Sequence, residues 1–401
     1  MPSETIQAEG HLIDSGDLQH ILTTIVEHGA GYEILNLDVG RTNADQSRLA
    51  IKVSDGTAAG LEHLLAKLSQ YGCYVRDTSD AHLRTNDIDG AAPVDFYSTT
   101  NHRTEVRIGG EWIGVEHQRM DAAIVIEHGR ARCRKIRDLR AGDQVVCGMQ
   151  GVRVLPDLQS RDKPTFAFMS NDVSSERRVE VAVGRVAEMM RQTKRDGGRI
   201  AFVAGPVIVH TGGTPYFCRL IERGYVQVVL SGNALAVHDV EVALSGTSLG
   251  IDQRTGHAVE HGHRNHMRAI NAIRRAGGIA AAVEQGLLTT GIMHACHTHG
   301  VPYILAGSIR DDGPLPETLM DLVAAQDAYA EALEGVDIVV MLSSMLHSIG
   351  VGNMVPSWVK VVCVDINPAV VTKLADRGST QTVGIVTDVG LFLRQLAEAL
   401  S

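Results

Sequence analysis

Aromatic residues are scarce, with only 4% of the 401 residues being Phe, Trp or Tyr. That leaves little for the stacking platforms on which single-stranded nucleic acids lie. Positive charge is not in excess either: 37 Lys and Arg face 47 Asp and Glu, a formal charge of −10. A nucleic-acid or acidic-membrane partner would call for the opposite balance. No run reaches about 18 consecutive apolar residues, so no membrane span is expected. The first residues, MPSETIQAEGHLIDSG, lack the basic start and apolar core of a signal peptide. Cysteine is sparse and scattered, at 73, 133, 147, 218, 296 and 363, with no C-x-x-C pair. That pattern predicts reduced thiols in a cytoplasmic protein. No G-x-S-x-G elbow occurs, which disfavours hydrolase chemistry. Two histidine groups, His257, His261, His263 and His266, then His294, Cys296, His297 and His299, lack the spacing of a metal site. No metal is expected.

What the chain does have is 44% apolar residues, 41 glycines and a regular change of pattern along its length. Intrinsic disorder is excluded, and the length predicts two or three domains. Residues 1–80 alternate strand and helix patterns in the order β-α-β-β-α-β, with Ser15 as a candidate helix cap, predicting a ferredoxin-like α+β unit. Residues 80–94 are polar and turn-rich, as in a linker. From 94 to 165 the pattern is short strands, with Gly109-Gly110 as a hairpin turn, predicting a small β-barrel or sandwich. A helix is expected over about 174–195, ended by Gly197-Gly198.

From 170 to 401 apolar runs such as IAFVAG, VQVVLSG, YILAGS, VDIVVML, VKVVCVDI and TVGIVTD alternate with helical stretches. The helices are expected near 236–245, 264–277 and 318–333. This predicts a doubly wound parallel sheet, whose ligands lie beyond the carboxyl ends of the strands. Asp365 ends one such run, where a carboxylate either accepts from the two hydroxyls of an adenosine ribose, favouring NAD over NADP, or caps the next helix. The G-x-G-x-x-G fingerprint is missing from the strand-to-helix turns; Gly350-Val351-Gly352 is a fragment lying too late after its strand. Phosphates would need other backbone amides, from 205–213, 231–239 or the Ser343–His347 turn. The run AGSIRDDGPLP (306–316) sets Arg310 beside Asp311 and Asp312, either as a loop ion pair or as a site for a ligand cation.

Seven ordered strings, EGHLIDSG (9–16), FYSTTNH (96–102), GNALAVHD (232–239), AGSIRDDGPLP, MLHSIGVGNM (345–354), VDINPAVVTKLADRG (364–378) and GIVTDVGLFL (384–393), cover nearly the whole chain. Together they resemble the archaeal-type ornithine cyclodeaminases, a family also known as a lysine-oxoglutarate reductase/saccharopine dehydrogenase conserved domain. They are also similar to the C-terminal part of cyanobacterial enzymes in which an arginine dihydrolase domain comes first. This sequence has no room for that first domain, so its activity is not expected here. The resemblance implies a deoxyhypusine-synthase-like NAD domain, which accounts for the missing fingerprint. It further implies conversion of ornithine to proline and ammonia, by oxidation at Cα, ring closure and return of the hydride. The NAD contacts it implies are Asn233, Ala234, Asp312, Ser344, Met345, Leu346, His347, Asp365, Thr387, Asp388 and Val389. Asp311 is the expected base or partner of the δ-amine, Arg264 the anchor for the substrate carboxylate, and 97–102 a loop closing over the substrate. A homodimer or homotetramer is expected, with no nucleic-acid or membrane partner. A saccharopine- or opine-type dehydrogenase and a non-catalytic NAD- or amino-acid-binding regulator remain open as alternatives.

Overall fold

The computed structural model describes all residues except 11, 14–16, 41–44, 46, 70, 76–78, 156–174, 249–250, 253–256, 258–262, 312 and 376–381. The chain divides into two compact units, residues 1–167 with 355–358, and residues 168–354 with 359–401.

The first unit opens with β1 (Ser3–Gly10), α1 (Asp17–Glu27), β2 (Gly31–Asp38), β3 (Ser47–Ser54), α2 (Ala58–Ser69) and β4 (Tyr74–Val75). The strands form an antiparallel sheet in the order β2-β3-β1-β4, the arrangement expected of a ferredoxin-like unit. Strict alternation drives it. Ser47, Leu49, Ile51 and Val53 of β3 are buried while Arg48 and Lys52 face out. Leu61, Leu64 and Leu68 of α2, three and four residues apart, close over them with Ile21 and Ile25 of α1. Ser15, the expected cap, lies outside the described residues.

The same unit continues through β5 (His82–Thr85), β6 (Arg103–Ile108), β7 (Glu111–Glu116), β8 (Ala123–Glu127), β9 (Arg130–Arg134), β10 (Gln144–Cys147) and β11 (Val152–Leu155). They make one seven-stranded sheet, β11-β6-β7-β9-β8-β10-β5. Gly109 and Gly110 turn the β6–β7 hairpin with φ of 60° and 86°, a backbone only glycine adopts at no cost. Residues 80–94 are no linker. They supply β5, which pairs along β10, and Asn86 joins the backbone of 88 and 140. The polar composition there reflects an edge strand with one wet side.

The second unit holds α3 (Ser175–Arg195), β12 (Arg199–Ala204), α4 (Val207–His210), α5 (Thr214–Glu222), β13 (Val228–Gly232), α6 (Asn233–Ser245), β14 (Thr247–Ser248) and β15 (Ile251–Asp252). Then come α7 (His263–Ala276), α8 (Ile279–Glu284), α9 (Ile292–Thr298), β16 (Tyr303–Ala306), β17 (Thr318–Leu319), α10 (Leu322–Ala332) and β18 (Val336–Leu342). The unit ends with α11 (Met345–Met354), β19 (Lys360–Asp365), α12 (Pro368–Ala375), β20 (Thr382–Val386) and α13 (Val389–Ala399). Seven parallel strands run β17-β16-β13-β12-β18-β19-β20. Apart from the edge strand β17 this is the doubly wound order 3-2-1-4-5-6. α3, α5 and α13 pack as one layer, and α10, α11 and α12 as another. Right-handed crossovers leaving β12 in opposite directions put the two layers on opposite faces.

One helix starts later than its pattern predicts. The stretch from 318 gives its first residues to β17, and α10 begins only after Asp321, whose carboxylate accepts from Val323 and Ala324 N–H. His294, Cys296 and His297 lie on α9 rather than in a loop, with Cys296 fully buried.

Candidate active site

The parallel strands finish in register. Ala204 stands beside Ser231 and Leu342, Gly232 beside Ala306, Leu342 beside Val364, and Asp365 beside Val386. The residues that follow them therefore share one edge, and β12 is where the order reverses, the usual place for a ligand crevice. Two glycines keep this edge open. A Cβ on Gly205 would fall 2.2 Å from the Ser343 carbonyl oxygen, and one on Gly232 would lie 3.0 Å from Cε1 of His347. Ser343 itself adopts φ +42°, an uncommon backbone for a residue with a side chain.

The turn after β18 thus reaches across β12 to the end of β13. His347 is fixed there by Ser344 Oγ, 2.8 Å from its Nδ1, and lies beside Tyr329, ring centroids 6.3 Å apart. Tyr329 in turn donates to Ser231 O at 2.6 Å, and burial holds its hydroxyl protonated. Burial also lowers the His347 pKa below 6.5, with the Asp311 charge working against it. The resulting imidazole is neutral near pH 7. At the start of α6, Asn233 turns its Oδ1 to Leu315 N–H (3.0 Å) and Thr318 Oγ1 (2.9 Å), tying the β13 end to the chain that follows β16.

Beside this crevice lies a cavity of about 350 Å3 lined by Asn233, Ala234, His210, His238, His266 and Asp311, among others. Its floor carries an unusual group. Glu241 of α6 is fully buried, and its Oε2 lies 3.2 Å from Nδ1 of His266 on α7 and 3.6 Å from Nδ1 of His238. Its Oε1 accepts from Thr247, which accepts from Asn265. His210 packs on His238 with ring centroids 4.7 Å apart, and His238 on His266 at 4.9 Å. Burial, then the neighbouring His238, lowers the His210 pKa, with Glu241 opposing. A buried carboxylate among imidazoles is well suited to holding and moving a proton.

Of the residues singled out in the sequence, Asn233, Ala234, Ser344, Met345, Leu346 and His347 follow the ends of β13 and β18, the two strands that flank β12. Asp365, Thr387, Asp388 and Val389 gather at the ends of β19 and β20, where Thr387 N–H donates to Asp365 O. Asp365 also accepts from Asn367 N–H at 2.8 Å, and Asp388 caps α13 through Leu391 N–H. Asp311 lines the cavity while holding its own loop through Ser308 N–H. Arg264 is exposed on the first turn of α7, whereas Arg310 is the cation lining the cavity. Asp312 and His261 lie outside the described residues. Gly350 and Gly352 sit within α11. Sequence reading passed over His210, His238 and Glu241; the only local signal was the H-x-x-E spacing of His238 and Glu241 on one helix face.

Comparison with known protein families matches the chain in three consecutive regions. The region described as arginine dihydrolase ArgZ-like, C-terminal, Rossmann fold matches residues 184–396, and its first region matches 103–183. The LOR/SDH bifunctional enzyme conserved region matches 3–102. The bifunctional arginine dihydrolase/ornithine cyclodeaminase AgrE of Nostoc is 50% identical over 99% of this chain, which spans 58% of that protein's length. The ornithine cyclodeaminase of Methanothermobacter thermautotrophicus is 46% identical, covering 98% of this chain and 96% of its own. Among solved structures, apo ArgZ, an arginine dihydrolase from cyanobacteria, superposes with a TM-score of 0.88 at 46% identity, over 100% of this chain and 58% of its own. AgrE in a ternary complex with ornithine and NAD+ gives a TM-score of 0.55 at 49% identity, over 100% of this chain and 57% of its own. By extent and identity, this chain belongs to the family formed by the archaeal ornithine cyclodeaminases and the C-terminal part of the ArgZ-like arginine dihydrolases.

Proposed function

We propose that this chain is an NAD-dependent ornithine cyclodeaminase, converting L-ornithine to L-proline and ammonia without net consumption of the cofactor. The observation that carries the reading is a crevice at the sheet's reversal point that adjoins a polar, histidine-lined cavity. The family's ornithine cyclodeaminases and the AgrE complex support the substrate and the cofactor. The residues present fit a dinucleotide. Gly205 and Gly232 leave the strand ends bare of side chains, and the N-termini of α6 and α11 follow those of β13 and β18. Such termini suit a pyrophosphate, and the partly exposed Asp365 stands two strands from β12, where a ribose would reach it.

In this reading Asn233, Ala234, Ser344, Met345, Leu346 and His347 hold the central part of NAD. Asp365, Thr387, Asp388 and Val389 hold its far end, and Asp312 completes the set. Bound NAD supplies a reversible two-electron exchange at the substrate's Cα. The chain's own groups do the rest. Neutral His347, packed on Gly232, adds no charge to repel the cationic ring. Asp311 takes the place of a base or pairs with the δ-ammonium. The substrate carboxylate is anchored by Arg264, with Arg310 on the cavity wall as the second cation. In this reading the chain comprises a ferredoxin-like unit (1–80), a β-rich part (94–165) to whose sheet β5 (His82–Thr85) is joined, and the NAD domain (170–401). The protein acts in the cytoplasm as a homodimer or homotetramer; six free cysteines accord with a reducing compartment.

The test is incubation of purified protein with ornithine and trace NAD+, following proline, ammonia and NADH absorbance. Stoichiometric proline and ammonia with no net NADH is expected. Steady NADH accumulation would instead indicate a dehydrogenase, and NAD binding without turnover a regulator.

A further inference from the structure

We propose that His266 is the group that exchanges protons with the substrate's α-nitrogen, and that Glu241 is the buried residue that positions it. The inference rests on the cyclodeaminase reading above and goes beyond it by assigning the proton relay. Glu241 has no exposed surface. A carboxylate taken out of water needs donors or a cation. Its described partners are Thr247 Oγ1 at 3.0 Å, His266 Nδ1 at 3.2 Å and His238 Nδ1 at 3.6 Å. The His238 Nδ1 is buried and has no hydrogen-bond partner among the described residues.

This geometry sets the tautomer. Nδ1–H of His266 donates to Glu241, so the lone pair of the neutral ring is on Nε2, at the opposite end of an imidazole that lines the cavity. A carboxylate behind the ring orients it and stabilises the imidazolium when it forms, as in any acid–His pair. Among the described residues, the other charged or titratable groups around His266 are His238 and Glu241 of α6, His210 of α4, and Arg310 and Asp311 after β16. Asp311 already accepts a hydrogen bond from Ser308 N–H within its own loop. His266 is thus the better placed base.

The steps balance with one proton passing out and back. Nε2 of His266 takes a proton from the substrate's α-ammonium, giving the amine. Loss of hydride from Cα to bound NAD+ then makes an iminium carbon. The δ-amine adds to that carbon, forming the new C–N bond and transferring its proton to solvent or Asp311. The His266 imidazolium returns its proton to the α-amino nitrogen as the old C–N bond breaks and ammonia departs. The cyclic iminium regains the two electrons, yielding proline. The same imidazole serves as base and then as acid.

The test compares wild-type protein with His266→Asn, His266→Ala and Glu241→Gln. The measurements are single-turnover NADH formation on mixing with ornithine, kcat and KM for ornithine, NAD affinity by calorimetry, and bound metal by elemental analysis. His266→Asn should slow NADH formation about a hundredfold while leaving NAD affinity within about twofold. Added imidazole should restore part of the rate to His266→Ala, which a purely structural role would not allow. Glu241→Gln should lower kcat about tenfold while leaving KM for ornithine within about twofold, because the ring loses the acceptor that orients it. A His266→Asn rate within about threefold of wild type, no imidazole rescue, or an unchanged kcat in Glu241→Gln would overturn the proposal. So would one tightly bound zinc per chain, since the trio would then be a metal centre. If wild-type protein neither reduces NAD+ with ornithine nor forms proline, the cyclodeaminase reading itself fails, a result distinct from an active wild type with an unimpaired variant.

Discussion

At the scale of single residues, two carboxylates carry opposite burdens. Asp365 is partly exposed and spends one oxygen on the turn to Asn367. Asp365→Ala should weaken NAD binding about three- to tenfold, the worth of a hydrogen bond or two. Asp365→Asn keeps the turn acceptor and separates that loss from local unravelling. Calorimetric titration of both variants checks this, and unchanged affinity would reduce Asp365 to a turn residue. Asp239 is fully buried, its carboxylate receiving Ile292 and Met293 N–H at the start of α9. Burial pushes its pKa from 3.8 up to about 6, against the pull of those two donors. Between these values the folded protein binds the extra proton, so the contribution to stability is present at pH 4 and lost as pH rises past 6. Relative to Asp239→Asn, the wild type should lose roughly 3 kcal/mol across that interval. Denaturation midpoints of both proteins at pH 4 to 7 give the difference.

At the scale of elements, the turn after β18 packs closely on the end of β13. Gly232 has φ −94°, which alanine adopts without strain, so Gly232→Ala acts only through its clash with the His347 ring. NAD affinity should fall about tenfold while folding changes little. The double variant Gly232→Ala/His347→Ala should lose no more than His347→Ala alone, a coupling that calorimetric titration of the three proteins would reveal. The strand ends were legible in the sequence because buried parallel strands read as uninterrupted apolar runs, each stopped by Gly, Ser or Asp. Asp365 and Ser344–His347 could be placed on that basis alone. The histidine group could not. His210, His238 and His266 come from three helices, and nothing in their spacing shows that α4, α6 and α7 converge. β5 was hidden for a different reason: four residues with one wet side carry too short an alternation to stand out.

At the scale of the whole molecule, the acidic balance and the scarcity of aromatics describe a surface, while the glycines mark where backbones or ligands approach closely. Light scattering of the purified protein should return two or four times 43.1 kDa, and a stable 43.1 kDa particle at micromolar concentration would exclude the expected oligomer. The wider doubly wound plan was readable from periodicity. The place of residues 82–85 in the second sheet was not, because a linker and an edge strand share the same polar composition.

The burial of α6 reaches beyond catalysis. From Asn233 to Leu244 no residue of that helix is exposed. His238 lines one cavity, while Asp239, Val242 and Ala243 face a second of about 680 Å3. Most helices have a solvent side on which mutations accumulate harmlessly, every third or fourth position. A helix without one has no such reservoir. A saturation-mutagenesis map of this chain should therefore show α6 as an unbroken block of intolerance, lacking the helical rhythm that α1 and α2 display.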